Sequence, residues 1–314
     1  MEHPVVAAVD VGGTRVKAAL VDRAGEEVVS LTRPTPPRLD APGALVALLR
    51  TTVEDLRAAA ASQGRGDTIA ACGVVVPGLV DDLSGVAVWS ANLHWRDVPV
   101  ATPLSEALEV PVALGHDVRA GLLAEARFGA ARGHRHVLFM PVGTGIAGAM
   151  MLDGHVVVAD GRAGELGHVV VEPGGPLCGC GARGCLEAVA SAAAVERRYA
   201  ARAAVATLPA AGPSRLGADR IADLVRSEDP VATQVWDDTV TALARAVVMV
   251  VTLTGVELVL VGGGLAQCGE LLLQPLRRKV EQDLTFQRRP EVERPLLGDR
   301  AGCLGAACLA WDLT

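Results

Sequence analysis

The chain contains the same glycine-rich hairpin pattern twice, and this duplication constrains its fold more than any other feature. In the first copy, runs of branched residues flank Asp10-Val-Gly-Gly-Thr14; in the second, a similar run leads into Pro141-Val-Gly-Thr-Gly145. Glycine permits the sharp turns that join adjacent strands. Each copy predicts the order strand, strand, strand, helix, strand, helix, so we expect an α/β protein with two related domains.

The spacing of apolar residues predicts the elements around these turns. Three antiparallel strands are expected before residue 32, a further strand at 69–76 and another at 112–114. In the second half, strands are expected at 137–142, 146–152, 156–158 and 258–261. The segment with Trp89, Asn92 and Trp95 lacks a clear period, and we expect it to be irregular. Helices are predicted at 44–61, at 103–108, from about 117, and at 186–202, 218–226, 231–253 and 302–311. Ligands of such folds bind at strand ends, where both glycine turns lie.

Composition excludes several classes of protein. The chain has 314 residues, is 50% hydrophobic and carries a net charge of −7, which argues against nucleic acid as a partner. The most apolar stretch, 246–261, is broken by polar residues and predicts a buried helix and strand rather than a membrane span. No basic segment precedes an apolar run at the start, so we expect a soluble cytoplasmic protein with no membrane partner.

Three of the seven cysteines lie in one short glycine-rich segment, Cys178-Gly-Cys180-Gly-Ala-Arg-Gly-Cys185. His168, which ends Gly-Glu-Leu-Gly-His, can complete a Cys₃His set, the ligand type of a structural zinc site. The alternatives are unpaired thiols or a redox pair, but a redox pair has two intervening residues and a helix start. The spacing therefore favours a closed zinc site, with no position left for water.

The glycine turns can serve phosphate binding. Backbone N–H groups at such turns meet phosphate oxygens, although a single turn of this kind is explained better by hairpin sterics. Two equivalent turns, with Gly262-Gly-Gly264 after a third strand, favour a nucleotide site. No Gly-Lys-Ser/Thr follows, so this is not a Walker P-loop.

Polar side chains near predicted strand and helix ends are candidates for binding a sugar, because hydroxyls both donate and accept hydrogen bonds. Asp117 follows a strand and begins a helix, where it is equally well explained as a helix cap. Glu187 follows the cysteine segment and is equally explained as a first-turn acid. The full set of sugar candidates comprises Asn92, Asp117, Glu165, His168 and Glu187.

Together these motifs resemble the bacterial ROK family of sugar kinases and related repressors, in particular its actinobacterial glucokinase-like members. The resemblance spans almost the whole chain and depends most on Cys178-x-Cys180-Gly-x-x-Gly-Cys185-x-Glu187. It is also carried by Asp10-Val-Gly-Gly-Thr14, by Gly143-Thr-Gly-Ile146 and by Gly164-Glu-Leu-Gly-His168. The resemblance implies two actin-like, ribonuclease-H-like domains with a cleft that closes on ATP and a hexose. We expect one domain at 1–116, completed by 301–314, and a larger one at 117–300.

The resemblance also implies roles for individual residues. Asp117 matches the catalytic base, ATP is expected with Mg²⁺, and structural Zn²⁺ is expected at His168, Cys178, Cys180 and Cys185. The residues that match sugar-binding positions are Gly78, Asn92, His116, Asp117, Glu165, His168 and Glu187. Those expected to bind ATP are Asp10, Gly12, Gly13, Thr14, Gly143, Thr144, Gly145, Gly263 and Gly264. Family members are commonly homodimers or homotetramers.

The sequence departs from the family at His116, where such kinases usually carry Asn before the catalytic Asp. The favoured reaction is phosphorylation of glucose at its 6-hydroxyl. His116 keeps open a kinase for another hexose: N-acetylmannosamine, N-acetylglucosamine, allose, mannose or fructose. A second departure is Arg15, directly after Gly-Gly-Thr14, where the family commonly has Lys; either cation can lie near phosphates.

Two other functions are disfavoured. A DNA-binding repressor is disfavoured because only nine residues precede Asp10. A non-catalytic sugar-sensing protein is disfavoured by the presence of Asp117.

Overall fold

The computed structural model describes residues 4–41, 43–65, 68–90, 93–206 and 216–314. The chain forms two compact units. The first comprises Met1–Arg132, Val156–Ala163 and Leu297–Thr314, and the second comprises Gly133–His155 and Gly164–Leu296. None of the helices in the described ranges combines the length and apolar character that crossing a membrane requires.

The first unit is built on a five-stranded sheet in the order β3-β2-β1-β4-β8. The three N-terminal strands are antiparallel, as predicted, and β4 and β8 run parallel to β1. The strands of this unit are β1 (Val5–Val11), β2 (Arg15–Val21), β3 (Glu27–Pro34), β4 (Ile69–Val76), β5 (Leu79–Asp81), β6 (Val86–Ser90), β7 (Trp95–Pro99) and β8 (Val112–His116).

A second, three-stranded sheet in the order β5-β6-β7 corrects one sequence prediction. The segment around Trp89 and Trp95 was expected to be irregular, but Trp89 pairs with Arg96 and Ser90 pairs with Trp95 in an antiparallel ladder. Charged residues interrupt the alternation in β7, where only the Trp95 side chain is buried. Asn92 lies outside the described residues.

The helices of the first unit cover both faces of its large sheet. α1 (Ala44–Ser62) and α2 (Ala101–Leu108) pack with one face, where Leu45, Leu49 and Leu104 are fully buried. α3 (Asp117–Phe128) and the C-terminal helix (Ala301–Trp311) pack with the other face. The α3 helix was expected in the second domain, at 117–300, whereas it lies in the first unit, because it packs on the C-terminal helix.

Glycine permits this close packing of the C-terminal helix. A Cβ at Gly73 in β4 would lie 1.8 Å from the carbonyl oxygen of Ala306, and one at Gly305 would lie 2.2 Å from that of Ala120. Real side-chain atoms cannot approach a backbone oxygen this closely. The two glycines therefore let the helix lie directly against β4 and α3.

The second unit repeats the strand order, as β11-β10-β9-β12-β13. Its strands are β9 (Val137–Pro141), β10 (Ala149–Leu152), β11 (His155–Val156), β12 (Leu258–Gly262) and β13 (Glu291–Glu293). Its helices are α4 (Leu186–Ala190), α5 (Ala192–Ala206), α6 (Ala218–Arg226), α7 (Pro230–Thr254) and α8 (Glu270–Asp283). The C-terminal helix of the first unit, Ala301–Trp311, is α9. The matching strand orders confirm the predicted α/β class with two similar domains.

Two element predictions in the second unit were wrong in detail. The helix expected at 186–202 is interrupted at Ser191, whose extended backbone ends α4 and whose Oγ accepts a hydrogen bond from the N–H of Ala194, in the first turn of α5. The strand expected at 146–152 begins only at Ala149, because Ile146 makes an isolated bridge to Val142 across the glycine turn.

Candidate functional site

Asp117 lies where β8 ends and α3 begins in the first unit. The backbone N–H of Val118 donates to Asp117 Oδ1 at 2.7 Å and to His116 Nδ1 at 3.2 Å. His116 Nδ1 also lies 3.4 Å from Asp117 Oδ1, so the two side chains meet at the first turn of α3. The side chain of His116, rather than that of Asp117, occupies the helix N-cap position.

The Asp117 carboxyl group has an unusual pKa. Burial is the main cause and raises its pKa to about 6, against the opposing effects of the Val118 N–H and the Arg119 charge. A half-buried carboxylate with a pKa of about 6 can both contact a bound hydroxyl and accept its proton.

Asp10, near the end of β1, is a second half-buried carboxyl group in this unit. Burial raises the pKa of Asp10 to about 7, and the negative charge of Asp117 adds to this rise. Lys17, which is paired with Asp10 across the β1–β2 hairpin, lowers the pKa of Asp10. Asp117 is thus close enough for its charge to act on Asp10.

The turn between β1 and β2 presents the first glycine motif. The N–H of Gly12 donates to the carbonyl of Arg15 at 2.9 Å, and the hydroxyl of Thr35 donates to the Gly12 carbonyl at 2.7 Å. These bonds fix the base of the turn and leave Gly13 and Thr14 exposed at its tip.

Gly78 has a steric reason to be glycine that is independent of any ligand. Its φ is 100°, and a Cβ there would lie 2.2 Å from the carbonyl oxygen of Trp89. The residue joins β4 to the small sheet at a point where no side chain fits.

In the second unit, the glycine turns after β9 and β12 lie side by side. The N–H of Val142 donates to the Gly262 carbonyl at 2.9 Å, and the N–H of Leu265 donates to the Val142 carbonyl at 3.0 Å. Gly263 has φ 80°, and a Cβ there would be 2.5 Å from the Val142 oxygen. The structure therefore brings Gly143, Thr144 and Gly145 to the same sheet edge as Gly263 and Gly264, at the carboxyl ends of parallel strands.

Glu187, in the first turn of α4, is hydrogen-bonded to the first of these turns. Its Oε2 accepts the backbone N–H of Ile146 at 3.0 Å. Gly167 permits the close approach, since a Cβ there would be 2.1 Å from the Ile146 carbonyl oxygen and 3.4 Å from Glu187 Cβ. The segment Gly164 to His168 is thus packed against the turn that carries Gly145.

His168 and the three crowded cysteines form one cluster. Each of His168, Cys178, Cys180 and Cys185 offers a ligand atom, and these atoms all lie within 4.8 Å of one another. Cys178 Sγ is 3.7 Å from His168 Nδ1, and Cys180 Sγ is 3.7 Å from Cys185 Sγ. The other ring nitrogen of His168, Nε2, lies 3.8 Å from Glu165 Oε2.

These spacings fit a tetrahedral zinc ion. Zn–S bonds of about 2.3 Å in a tetrahedron place two sulfur ligands about 3.8 Å apart. A carboxylate facing the non-ligating nitrogen of a histidine is the usual support of such a ligand. The isolated bridge of Val170 with Cys185 and that of Leu177 with Arg183 hold the loop in this folded form.

The structure therefore gathers the predicted residues into two groups, one in each unit. The first contains Asp10, the Gly12–Thr14 turn, Gly78, His116 and Asp117. The second contains the remaining glycine turns, the cysteine cluster, Glu165, His168 and Glu187. Gly167 was predicted only as part of the Gly164 to His168 motif, without its steric role, and Arg119 and its partner Asp82 were not predicted. The position of Arg119, two residues after the predicted base, was the available signal.

Comparisons with known proteins agree with this geometry. The ROK family profile matches residues 6–312. The glucokinase of Thermotoga maritima is 36% identical over 312 residues, covering 96% of this chain and 95% of that protein. The ROK hexokinase of Thermus thermophilus is 32% identical, with a TM-score of 0.81 and 98% of each chain covered.

A ROK family glucokinase from Streptomyces griseus, whose crystal structure contains glucose and AMPPNP, is 29% identical with a TM-score of 0.79. The alignment covers 98% of this chain and 99% of that one. Two similar α/β units with glycine turns at the sheet edges define the actin-like class, as the sequence analysis expected. The chain belongs to the ROK family.

Proposed function

We propose that the protein is an ATP-dependent sugar kinase that phosphorylates glucose at its 6-hydroxyl. The observation that carries the proposal is Asp117, a half-buried carboxylate where a strand ends, with a pKa raised to about 6. Glucokinases among the full-length relatives support the choice of glucose and ATP as substrates.

Asp117 acts as the base in this proposal. Its carboxylate accepts the proton of the sugar O6 hydroxyl as the new bond forms between O6 and the γ-phosphorus. The bond between the γ-phosphorus and the bridging oxygen of ATP breaks, and ADP leaves with that electron pair. The hydrogen bond from Val118 N–H fixes the carboxylate, so its free oxygen faces the incoming hydroxyl in one orientation.

The glycine turns bind ATP, which enters with Mg²⁺ as part of the substrate. Gly12, Gly13 and Thr14 in the first unit and Gly143, Thr144 and Gly145 in the second offer backbone N–H groups to phosphate oxygens. Gly263 and Gly264 border the second turn and let the nucleotide approach the backbone. Asp10 orients the metal-bound phosphates, a role that favours its ionised form.

Glu165, His168 and Glu187 hold the sugar hydroxyls, with Asn92, His116 and the Gly78 loop completing the set. Carboxylates accept from vicinal hydroxyls, and the His168 and Asn92 side chains also donate. Glu187 already accepts the N–H of Ile146 through one oxygen, which leaves the other oxygen for the sugar.

Zinc at His168, Cys178, Cys180 and Cys185 has a structural role in this proposal. When bound, it supplies no reaction chemistry and cross-links the loop that precedes α4. His168 would offer it Nδ1, the ring nitrogen that faces Cys178, and Nε2 would remain available to Glu165 and the sugar. The cluster thereby fixes both His168 and Glu187, which lies two residues after Cys185.

A second candidate substrate follows from His116. Its Nδ1 is engaged by Val118 N–H, so the side chain presents a different surface to the sugar than asparagine does. This observation favours testing mannose, fructose, allose, N-acetylglucosamine and N-acetylmannosamine alongside glucose.

Coupled measurement of ADP release with this panel of sugars tests the proposal. We expect kcat/KM to be highest for glucose, with ATP as donor, and the Asp117→Asn variant to serve as the matched control. A higher kcat/KM for another hexose would make that sugar the proposed substrate, and the assignment as a sugar kinase would stand. Sugar binding without ADP release in the presence of Mg²⁺ would instead identify a sugar-sensing protein.

We further propose that the enzyme acts in the cytoplasm as a homodimer or homotetramer, as family members commonly do. Light scattering on the purified protein distinguishes these states from a monomer, and a monomer that phosphorylates glucose would remove the oligomer from the proposal.

A further inference from the structure

Three arginines meet in a cavity of the second unit that the proposed function does not use. Arg198 and Arg202 lie on α5 and Arg245 lies on α7, and all three line a cavity of about 240 Å³. Val171 and Val189 also line it. Among the residues that the structure describes, none of those proposed to bind ATP, sugar or zinc lines this cavity.

One carboxylate holds two of the arginines in place. Asp238 Oδ2 accepts hydrogen bonds from Arg198 Nη2 at 2.9 Å and from Arg202 Nη2 at 2.7 Å. Asp238 Oδ1 accepts the side-chain amide of Gln234 at 2.9 Å. Both oxygens of Asp238 are therefore engaged within the protein, and the two guanidinium groups lie side by side around Oδ2.

Internal contacts explain Arg198 better than the other two arginines. Arg198 Nη1 also donates to the carbonyl of Val189, near the end of α4, at 3.0 Å. Arg202 Nη1, by contrast, is buried and has no hydrogen-bond partner within the described ranges. Arg245 is exposed, and its hydrogen bond to the Val171 carbonyl is long, at 3.3 Å. Because a buried donor without an acceptor is costly, Arg202 Nη1 indicates an acceptor from outside this part of the chain.

The charge around the cavity also favours an anion. Burial is the main cause of a lowered pKa of Arg198, and the positive charge of Arg202 adds to this effect. The negative charges of Asp238 and Glu172 oppose it. The lining of the cavity thus combines three guanidinium groups with two carboxylates, and a bound anion would offset the remaining positive charge.

We propose that this cavity is a phosphate-binding site, in which Arg202 and Arg245 bind a free phosphate or the phosphate group of an ester. Asp238 holds the arginines in position rather than contacting the ligand. Guanidinium groups form paired, charge-assisted hydrogen bonds with phosphate oxygens, and the planar fork of arginine matches that geometry. The second unit would therefore bind phosphate at a position separate from its glycine turns.

Isothermal titration calorimetry with inorganic phosphate and, separately, with glucose 6-phosphate tests the site. The titrations are made at constant ionic strength with glucose, Mg²⁺ and AMPPNP present, so that the proposed nucleotide and sugar positions are occupied. Arg202→Gln should weaken binding by about tenfold or more, because it removes a hydrogen bond to a charged group. Arg245→Gln should also weaken binding, and its exposed position keeps the test valid if Arg202→Gln does not fold.

Arg220→Gln is the matched control, because Arg220 lies on α6 of the same unit, 3.5 Å from Asp223, and does not line the cavity. Its affinity for both ligands should equal that of the unmodified protein. Circular dichroism establishes which variants are folded. The dependence on Arg202 and Arg245 locates the site whether or not the protein is a kinase.

The two ligands distinguish the source of the phosphate group. Tighter binding of glucose 6-phosphate would support an ester as the ligand, whereas similar affinities would support free phosphate. Two results would overturn the inference: no binding of either ligand at millimolar concentration by calorimetry and thermal shift, or unchanged affinity in both folded arginine variants.

Discussion

The carboxylate of Glu187 accepts the backbone N–H of Ile146 at 3.0 Å, and this contact joins the cysteine cluster to a glycine turn. Glu187 follows Cys185 by two residues, and Ile146 follows Gly145 directly. A residue proposed to bind sugar thus also fixes a turn proposed to bind phosphate. Displacement of the cysteine loop should consequently affect both substrates.

Glu187→Ala should therefore reduce kcat/KM for glucose by about tenfold or more, since hydrogen bonds to charged groups contribute about 1.5–3 kcal/mol. Glu187→Gln keeps an acceptor for Ile146 N–H and should lose less. Steady-state kinetics with both substrates varied provides the measurement, and Glu270→Gln, at an exposed position of α8, is the control. Equal losses in the two Glu187 variants would show that the Ile146 contact is unimportant.

Asp117→Asn should lower kcat by about 10²–10⁴-fold, the usual contribution of a general base, with little change in glucose affinity. The amide can still accept the N–H of Val118, so the first turn of α3 should persist. Coupled ADP release measures kcat, and calorimetry measures glucose binding. Asp153→Asn, at an exposed hairpin turn, is the control; turnover near the unmodified rate in Asp117→Asn would refute the assignment.

Asp10→Asn should stabilise the free protein at alkaline pH. Burial raises the pKa of Asp10 to about 7, so the folded state binds its proton more tightly than the unfolded state. The tighter proton binding of Asp10 stabilises the folded state fully below about pH 4, and this stabilisation is lost as pH rises through about 7. The gain in Tm of Asp10→Asn should thus be larger at pH 8 than at pH 5. A gain that does not change with pH would contradict this account, and Asp153→Asn should show none.

Cys178→Ser should release the proposed zinc, lower Tm and raise KM for glucose together. The loss of a cross-link to His168 frees the loop, and each lost kcal/mol lowers Tm by about 2–4 °C in a unit of 150–250 residues. Metal analysis of freshly purified protein, thermal unfolding and kinetics are the measurements. Cys268→Ser, which lies outside the cluster, should leave all three unchanged. Purified protein without zinc would remove the metal from the proposal.

Gly73→Ala should destabilise the first unit. Its Cβ would meet the Ala306 carbonyl oxygen at 1.8 Å, and a backbone atom cannot move aside cheaply. Overpacking of this kind costs about 1–3 kcal/mol or more. Chemical denaturation measures the loss. Gly264→Ala, where a Cβ meets nothing within 4 Å and φ is −61°, should unfold like the unmodified protein.

The sequence predicted the parts of the structure that depend on local pattern. Alternating branched residues specified β1 to β3, and Asp229 with Pro230 and Gly255 delimits α7 within one residue of the predicted 231–253. The spacing of Cys178, Cys180 and Cys185 identified the cluster that His168 completes. These features were predictable because each depends on neighbouring residues in the chain, or on a residue pattern that few kinds of site share.

The remaining features depend on contacts between distant segments. Asp82 and Arg119 are 37 residues apart, and no local pattern pairs them. Glu187 reaches Ile146 only because Gly167 lets two segments approach, and that glycine is needed for space rather than for a turn. β6 and β7 pair through a ladder whose alternation is broken by Arg96 and Asp97, which are exposed. Such contacts follow from tertiary packing.

The position of α9 has a consequence for biosynthesis. α9 (Ala301–Trp311) packs against β1 and β4, which are synthesised before the second unit, whereas α9 is synthesised after it. The second unit lies almost entirely between them in the sequence, so all of it leaves the ribosome before the first unit has all of its elements. β1 and β4 must therefore wait for α9, with part of their apolar face uncovered in the nascent chain until that helix has been synthesised.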